Sequence, residues 1–149
     1  MAAPHNDFAN MGWVKFLGFK TTEAAAGRCV IRLDPQPAHL NHNGDVNAAV
    51  LFGLAEIAGA GALVSGLGDF AAKAFVVARR GDIEYVGRAR GAVTATGAIP
   101  ADVFADIRER AARKEELEVP CPVTLTDDAG ATISTASVVM LIRPRRERS

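Results

Sequence analysis

Glu56 is the one ionisable side chain between Asp45 and Asp69. The run around it, Val46-Asn47-Ala48-Ala49-Val50-Leu51-Phe52-Gly53-Leu54-Ala55-Glu56-Ile57-Ala58, continues to Leu67 without another charge. Burying a lone carboxylate in such company is costly, because desolvation disfavours its charged form. A carboxyl whose proton affinity is raised in this way suits a general base. A structural Glu hydrogen-bonded to backbone is the competing assignment.

The elements that must hold this residue follow from pattern. The length of the run, its Ala and Leu content and its lack of alternation predict a helix rather than a strand. A helix apolar on nearly every side must be surrounded. Ahead of it, residues 1–20 form a helical lead-in whose apolar cluster (Phe8, Met11, Trp13, Phe16, Leu17) stops near Gly18. Cys29–Leu33 reads as a strand ended by Asp34-Pro35-Gln36-Pro37, and a loop then carries His39 to Gly44. After Gly68 the texture is that of strands: Ala74–Ala78 is apolar, while Asp82–Val86 and Val93–Thr96 alternate. Asp102–Glu116 predicts an amphipathic helix with Val103, Phe104, Ile107 and Ala111 on one face. Val119–Thr126 and Thr132–Ile142 predict a hairpin about Asp127-Asp128-Ala129-Gly130, and residues 143–149 a solvated basic tail. A curved antiparallel sheet could wrap most of the apolar helix, and a second subunit could close the rest.

The 149 residues suffice for one domain with a sizeable core. A formal net charge of zero favours neither a nucleic acid nor an anionic membrane as partner. Cys29 and Cys121 suit a reduced, cytoplasmic protein and read as small core hydrophobes. The first residues lack the basic-then-apolar order of a signal peptide. The Val46–Leu67 run approaches the length of a membrane span. However, a central carboxylate would cost roughly 2–4 kcal/mol in mid-bilayer, and the flanks Asp45 and Asp69 offer no basic anchor. Gly66-x-Gly68-x-x-Ala71 fits a dinucleotide fingerprint only formally, since a helix precedes it and a strand follows. His39-x-x-His42 is half a metal site with nothing to complete it, so no metal is expected.

Asn41-His42-Asn43-Gly44-Asp45-Val46-Asn47-Ala48-Ala49 followed by Leu51-Phe52-Gly53-Leu54-Ala55-Glu56 resembles the motif of hot-dog-fold acyl-CoA thioesterases. The likeness is greatest to the phenylacetate-degradation type and allied uncharacterised domains, and it spans residues 12 to 142. It implies an α+β hot-dog fold, a curved antiparallel sheet wrapped around one long central helix. By this resemblance Glu56 takes the place of the catalytic carboxylate, activating water or attacking the thioester carbonyl. Ala48 supplies the backbone N–H that polarises that carbonyl, Asn47 stands where the family has His, and Asn41 matches an Asn that positions water or substrate. A helix N-cap is the competing role for Asn47. His42 and Gly44 border the cleft, and Arg79, Arg80, Arg88 and Arg90 are candidates for the phosphates of coenzyme A, with solvated strand-end charges as the alternative.

Ala48 and Glu56 lie eight residues apart, roughly 12 Å along a helix axis. Donor and base must each come within about 3 Å of the reacting atoms, so one helix does not serve one substrate. Two antiparallel copies do, which predicts an obligate dimer, or a tetramer built from two such dimers, with composite sites. Ala60 and Ala78 occupy positions where relatives carry a hydroxyl, and Asp45 places a negative charge beside the oxyanion donor. The implied activity is hydrolysis of an acyl-CoA or acyl-carrier thioester, with coenzyme A as part of the substrate and no separate cofactor. A non-catalytic acyl-ligand-binding protein of the same fold is the alternative.

Overall fold

The computed structural model describes residues 7–145. After a 3-10 turn at Phe8–Asn10, the elements are α1 (Gly12–Phe16), β1 (Lys20–Ala25), β2 (Arg28–Leu33), α2 (Ala48–Leu67), β3 (Ala74–Tyr85), β4 (Val93–Ala98), α3 (Ala101–Ala112), β5 (Leu117–Asp127) and β6 (Thr132–Pro144). The strands form one antiparallel sheet in the order β1-β2-β4-β5-β6-β3. It curls around α2, which touches all six strands. This is the α+β hot-dog arrangement.

The wrapping follows from side-chain periodicity. In β5, Leu117, Val119, Cys121, Val123 and Leu125 are buried against the helix while the residues between them face outward. Pro120 and Pro122 are tolerated in this interior strand because β4 pairs only with its Val123–Asp127 half. On the helix, small residues set the approach to the sheet. A Cβ on Gly97 of β4 would collide with the Ala58 carbonyl, and one on Gly61 would lie 2.6 Å from the Cys29 sulfur. Leu54, Ile57 and Leu63 fill the remaining space, each contributing about 1.5–3 kcal/mol of burial. That environment explains how α2 can have the length and apolarity of a membrane span while most of it is enclosed by its own sheet.

Several boundaries differ from expectation. Strand β1 is polar and almost wholly exposed at the sheet edge, so it carries no alternation to reveal it. Strand β3 is continuous where two segments were expected, because a bulge at Arg79 lets it bend without breaking. Helix α3 stops at Ala112. Lys114 adopts a positive φ of 57°, and Glu115 folds back to bind Arg110 at 2.9 Å and Arg113 at 2.8 Å. The basic tail begins later than expected. Arg143 and Pro144 belong to β6, Arg143 lies 4.4 Å over the Phe75 ring, and Arg145 donates to the Ala74 carbonyl at 3.1 Å. Residues 146–149 of that tail, and 1–6 of the lead-in, lie outside the described residues.

Candidate active site

The loop before α2 is organised by its own side chains. The Asn41 carboxamide oxygen accepts from the N–H groups of Asn43 at 2.8 Å and Asp45 at 3.2 Å. The Asn41 N–H donates to the Asp45 carbonyl at 2.7 Å, and Gly44 closes the turn at φ 78°. Buried His39 accepts from the Gln36 N–H through Nδ1 at 2.8 Å. Its Nε2 therefore carries the proton and donates to the Leu17 carbonyl, also at 2.8 Å. His42 is exposed, with Nε2 3.2 Å from the Asn43 amide nitrogen. The two histidines therefore do not converge on a metal, and no group of three metal-ligating side chains occurs among the described residues.

Asn47 caps the helix. Its side-chain oxygen accepts from the Ala49 N–H at 2.9 Å, and its carbonyl accepts from Val50 at 3.0 Å and Leu51 at 3.1 Å. Among the described residues, the Ala48 N–H is then the only first-turn amide without an acceptor. It points outward at the positive end of a 20-residue helix, where an anion or a developing oxyanion is stabilised.

A strap running from Tyr85 to Ala89 holds this helix start in place. The Tyr85 hydroxyl donates to the Ala48 carbonyl at 3.0 Å, and the Val46 N–H donates to the Ala89 carbonyl at 2.8 Å. Arg88 grips Asp45 with two bonds, Nε to Oδ2 at 2.8 Å and Nη2 to Oδ1 at 3.1 Å. The Arg88 guanidinium holds the Asp45 carboxyl below the usual carboxylate range, and the charge of Arg90 adds to the effect. The negative charge expected beside the oxyanion donor is thus neutralised.

Glu56 stands two helical turns further on, half-buried. Among the described residues it has neither a hydrogen-bond nor an ion-pair partner, and burial pushes its carboxyl up. One turn earlier, Gly53 makes room for Trp13. A Cβ there would lie 2.7 Å from the indole, which meets Phe19 edge-on at 5.7 Å. Gly53 and Glu56 are three residues apart and so share one face of the helix. Met11, Trp13 and the 85 % exposed Phe16 leave apolar surface uncovered at α1 and the residue before it.

The structure gathers Asn41, His42, Gly44, Asn47 and Ala48 at one end of α2, and leaves Glu56 of the same chain farther along it. Arg79 and Arg80 lie apart, both bound to Glu118 of β5 at 2.8 and 3.3 Å. Arg90 is exposed and has no ion pair among the described residues. On the β1 side of α2 an apolar cavity of about 490 Å³ is lined by Phe8, Ala24, Cys29, Ile57, Gly61 and Val64. Burial raises Cys29 to about 11 and Cys121 to about 12, so neither thiol is a nucleophile near neutrality. Trp13, Tyr85 and the pairing of Arg88 with Asp45 are what the sequence pattern did not reveal. Only Tyr85, the single tyrosine ending an alternating segment, carried a local signal.

Comparison with known structures agrees with the hot-dog fold. A 1.5 Å structure of a protein of unknown function from Pseudomonas aeruginosa, described as a probable thioesterase, matches with a TM-score of 0.81 at 21% identity, over 95% of this chain and 93% of the other. The Escherichia coli PaaI protein from the phenylacetic acid degradation operon matches with a TM-score of 0.71 at 17% identity, over 95% and 90%. A hypothetical thioesterase from Streptococcus pneumoniae, solved with coenzyme A, matches at 0.65 and 15% identity, over 87% and 88%. At these identities the likeness is one of fold. No curated protein matches the chain. The family model for a domain of unknown function, DUF4442, matches residues 11–142, and the chain belongs to that family.

Proposed function

We propose that the protein hydrolyses acyl thioesters of coenzyme A or of carrier-bound pantetheine. The working unit is a homodimer, or a tetramer built from it, in which Glu56 of one protomer acts on a carbonyl polarised by the partner's Ala48. The observation that carries this reading is Glu56 itself, half-buried, without a partner among the described residues, and with its proton affinity raised by desolvation. Such a carboxylate accepts a proton from water more readily than an ordinary glutamate does. Across a twofold axis two antiparallel α2 helices would set each Glu56 against the opposite helix start, resolving the roughly 12 Å gap within one chain.

Asn41 and Asn47 shape the helix start in this reading, with their amide nitrogens directed to water or substrate. His42 and Gly44 border the thioester, and Arg90 is the best placed of the four arginines for a phosphate. The cavity beginning at Ile57 offers an apolar berth for the acyl group. The test is thiol release over short, medium, long and aryl acyl-CoAs, with Glu56→Gln in parallel. Activity lost in Glu56→Gln supports the enzyme. The absence of a hydroxyl at Ala60 and Ala78 favours a second reading, a non-catalytic acyl-CoA binder. Saturable binding without thiol release would establish that instead.

A further inference from the structure

One N–H is a thin oxyanion hole. A carbonyl oxygen that becomes a tetrahedral oxyanion has lone pairs for more than one donor, and preorganised sites commonly supply two. The described residues offer one other polar hydrogen tied to Ala48, the hydroxyl of Tyr85, 3.0 Å from the Ala48 carbonyl. Tyr85 ends β3 and is 47 % exposed, so the residue borders solvent beside the helix start. Its backbone is fixed. Val86 and Gly87 donate to the Ile133 carbonyl at 2.9 and 3.1 Å, and Arg88 and Ala89 hold the segment to Asp45 and Val46. The Ala48 carbonyl is also placed to accept from the amide four residues on, as every helical carbonyl is. The tyrosine bond is thus a second one on that oxygen and can be exchanged without leaving it unsatisfied.

We propose that Tyr85 is a catalytic residue, the second oxyanion donor, whose hydroxyl swings from the Ala48 carbonyl to the thioester oxygen held by the Ala48 N–H. This rests on the thioesterase reading above. Water oxygen bonds to the carbonyl carbon, the π pair moves onto oxygen, and the partner's Glu56 takes the water proton. The oxyanion accepts hydrogen bonds from Ala48 and Tyr85, which keeps its proton throughout. Collapse restores the carbonyl and breaks the C–S bond, and the thiolate leaves with the proton from Glu56. The products are a carboxylic acid and a thiol.

Tyr85→Phe keeps the ring and removes only the donor. Thiol release is measured with acetyl-, octanoyl- and phenylacetyl-CoA, and affinity is measured for their ketone analogues, in which methylene replaces the thioester sulfur. The expected result is a fall in kcat of about 10²-fold with little change in KM. Analogue binding should weaken about tenfold while binding of free coenzyme A is unchanged. Equal kcat and equal analogue affinity in Tyr85→Phe would overturn the proposal, as would analogue and free coenzyme A weakening together, the mark of a purely structural role. If the wild type releases no thiol, the thioesterase reading fails by itself. The analogue comparison still decides whether Tyr85 donates to the carbonyl, and failure of every analogue to bind overturns both.

Discussion

Arg88 and Asp45, 43 residues apart in the chain, meet in a two-point ion pair of 2.8 and 3.1 Å immediately before the first turn of α2. The pair joins the strap that follows β3 to the loop that presents the Ala48 N–H. Its electrostatic effect is to neutralise the Asp45 carboxylate, which on the proposed mechanism would otherwise oppose an oxyanion at the Ala48 N–H. Arg88→Ala should therefore lower kcat/KM about tenfold, and adding Asp45→Asn should recover most of that loss, since the harm lies in the uncompensated charge. The Asp45 carboxyl lies below its usual range in the folded state. The pair's contribution to stability is thus present above the ordinary Asp range and lost as pH falls through the depressed value. Acid titration of unfolding for wild type and Arg88→Ala tests this.

Glu56 titrates in the opposite sense. Its folded carboxyl is raised by burial, so the folded chain holds that proton more tightly than the unfolded chain. Stability should decline as pH rises from the ordinary Glu range through the raised value, and then level off. Glu56→Gln should remove that decline and be at least as stable as wild type at neutral pH. The acid limb of kcat/KM should rise with an apparent pKa above that of an ordinary glutamate.

Asn47 tests the difference between a cap and a catalyst. Its oxygen satisfies the Ala49 N–H at 2.9 Å. Asn47→Ala should cost about 1 kcal/mol of stability in denaturant titration. Asn47→Ser restores a capping oxygen and should restore stability. Activity that recovers with it assigns Asn47 to positioning the helix start; activity that stays low assigns it to the substrate.

Gly97 is where the sheet comes close to the backbone of α2. Its hypothetical Cβ meets the Ala58 carbonyl, a backbone group that cannot rotate away. Gly97→Val should destabilise by about 1–3 kcal/mol or prevent folding. A neutral result in chemical denaturation would mean that α2 can lift off β4.

The long apolar run betrayed both the central helix and the acid inside it, because each depended on composition within a single segment. The β5–β6 hairpin was equally legible, since Asp127 and Gly130 are the residues such a turn requires. Strand β1 was hidden by its edge position, where Lys20 to Ala25 need not alternate. The bulge at Arg79 hid the continuity of β3. At the site, Asn41, Asn47 and Ala48 could be read because they adjoin in sequence. The bond of Tyr85 to Ala48 and the pairing of Arg88, a candidate for phosphate, with Asp45 could not, because they form only after the sheet has brought together residues 37 and 43 positions apart.

On the proposed mechanism, the carboxylate and the amide of one working site come from different protomers. Ala48→Pro removes the N–H at the first helical position, where proline is well tolerated, and Glu56→Gln removes the base. Each variant alone should be inactive. Unfolded together in equal amounts and refolded, they should regain up to about a quarter of wild-type thiol release, because half the dimers are mixed and each mixed dimer has one intact site. A refolded mixture that forms dimers yet stays as inactive as its components would mean that no site is shared between protomers.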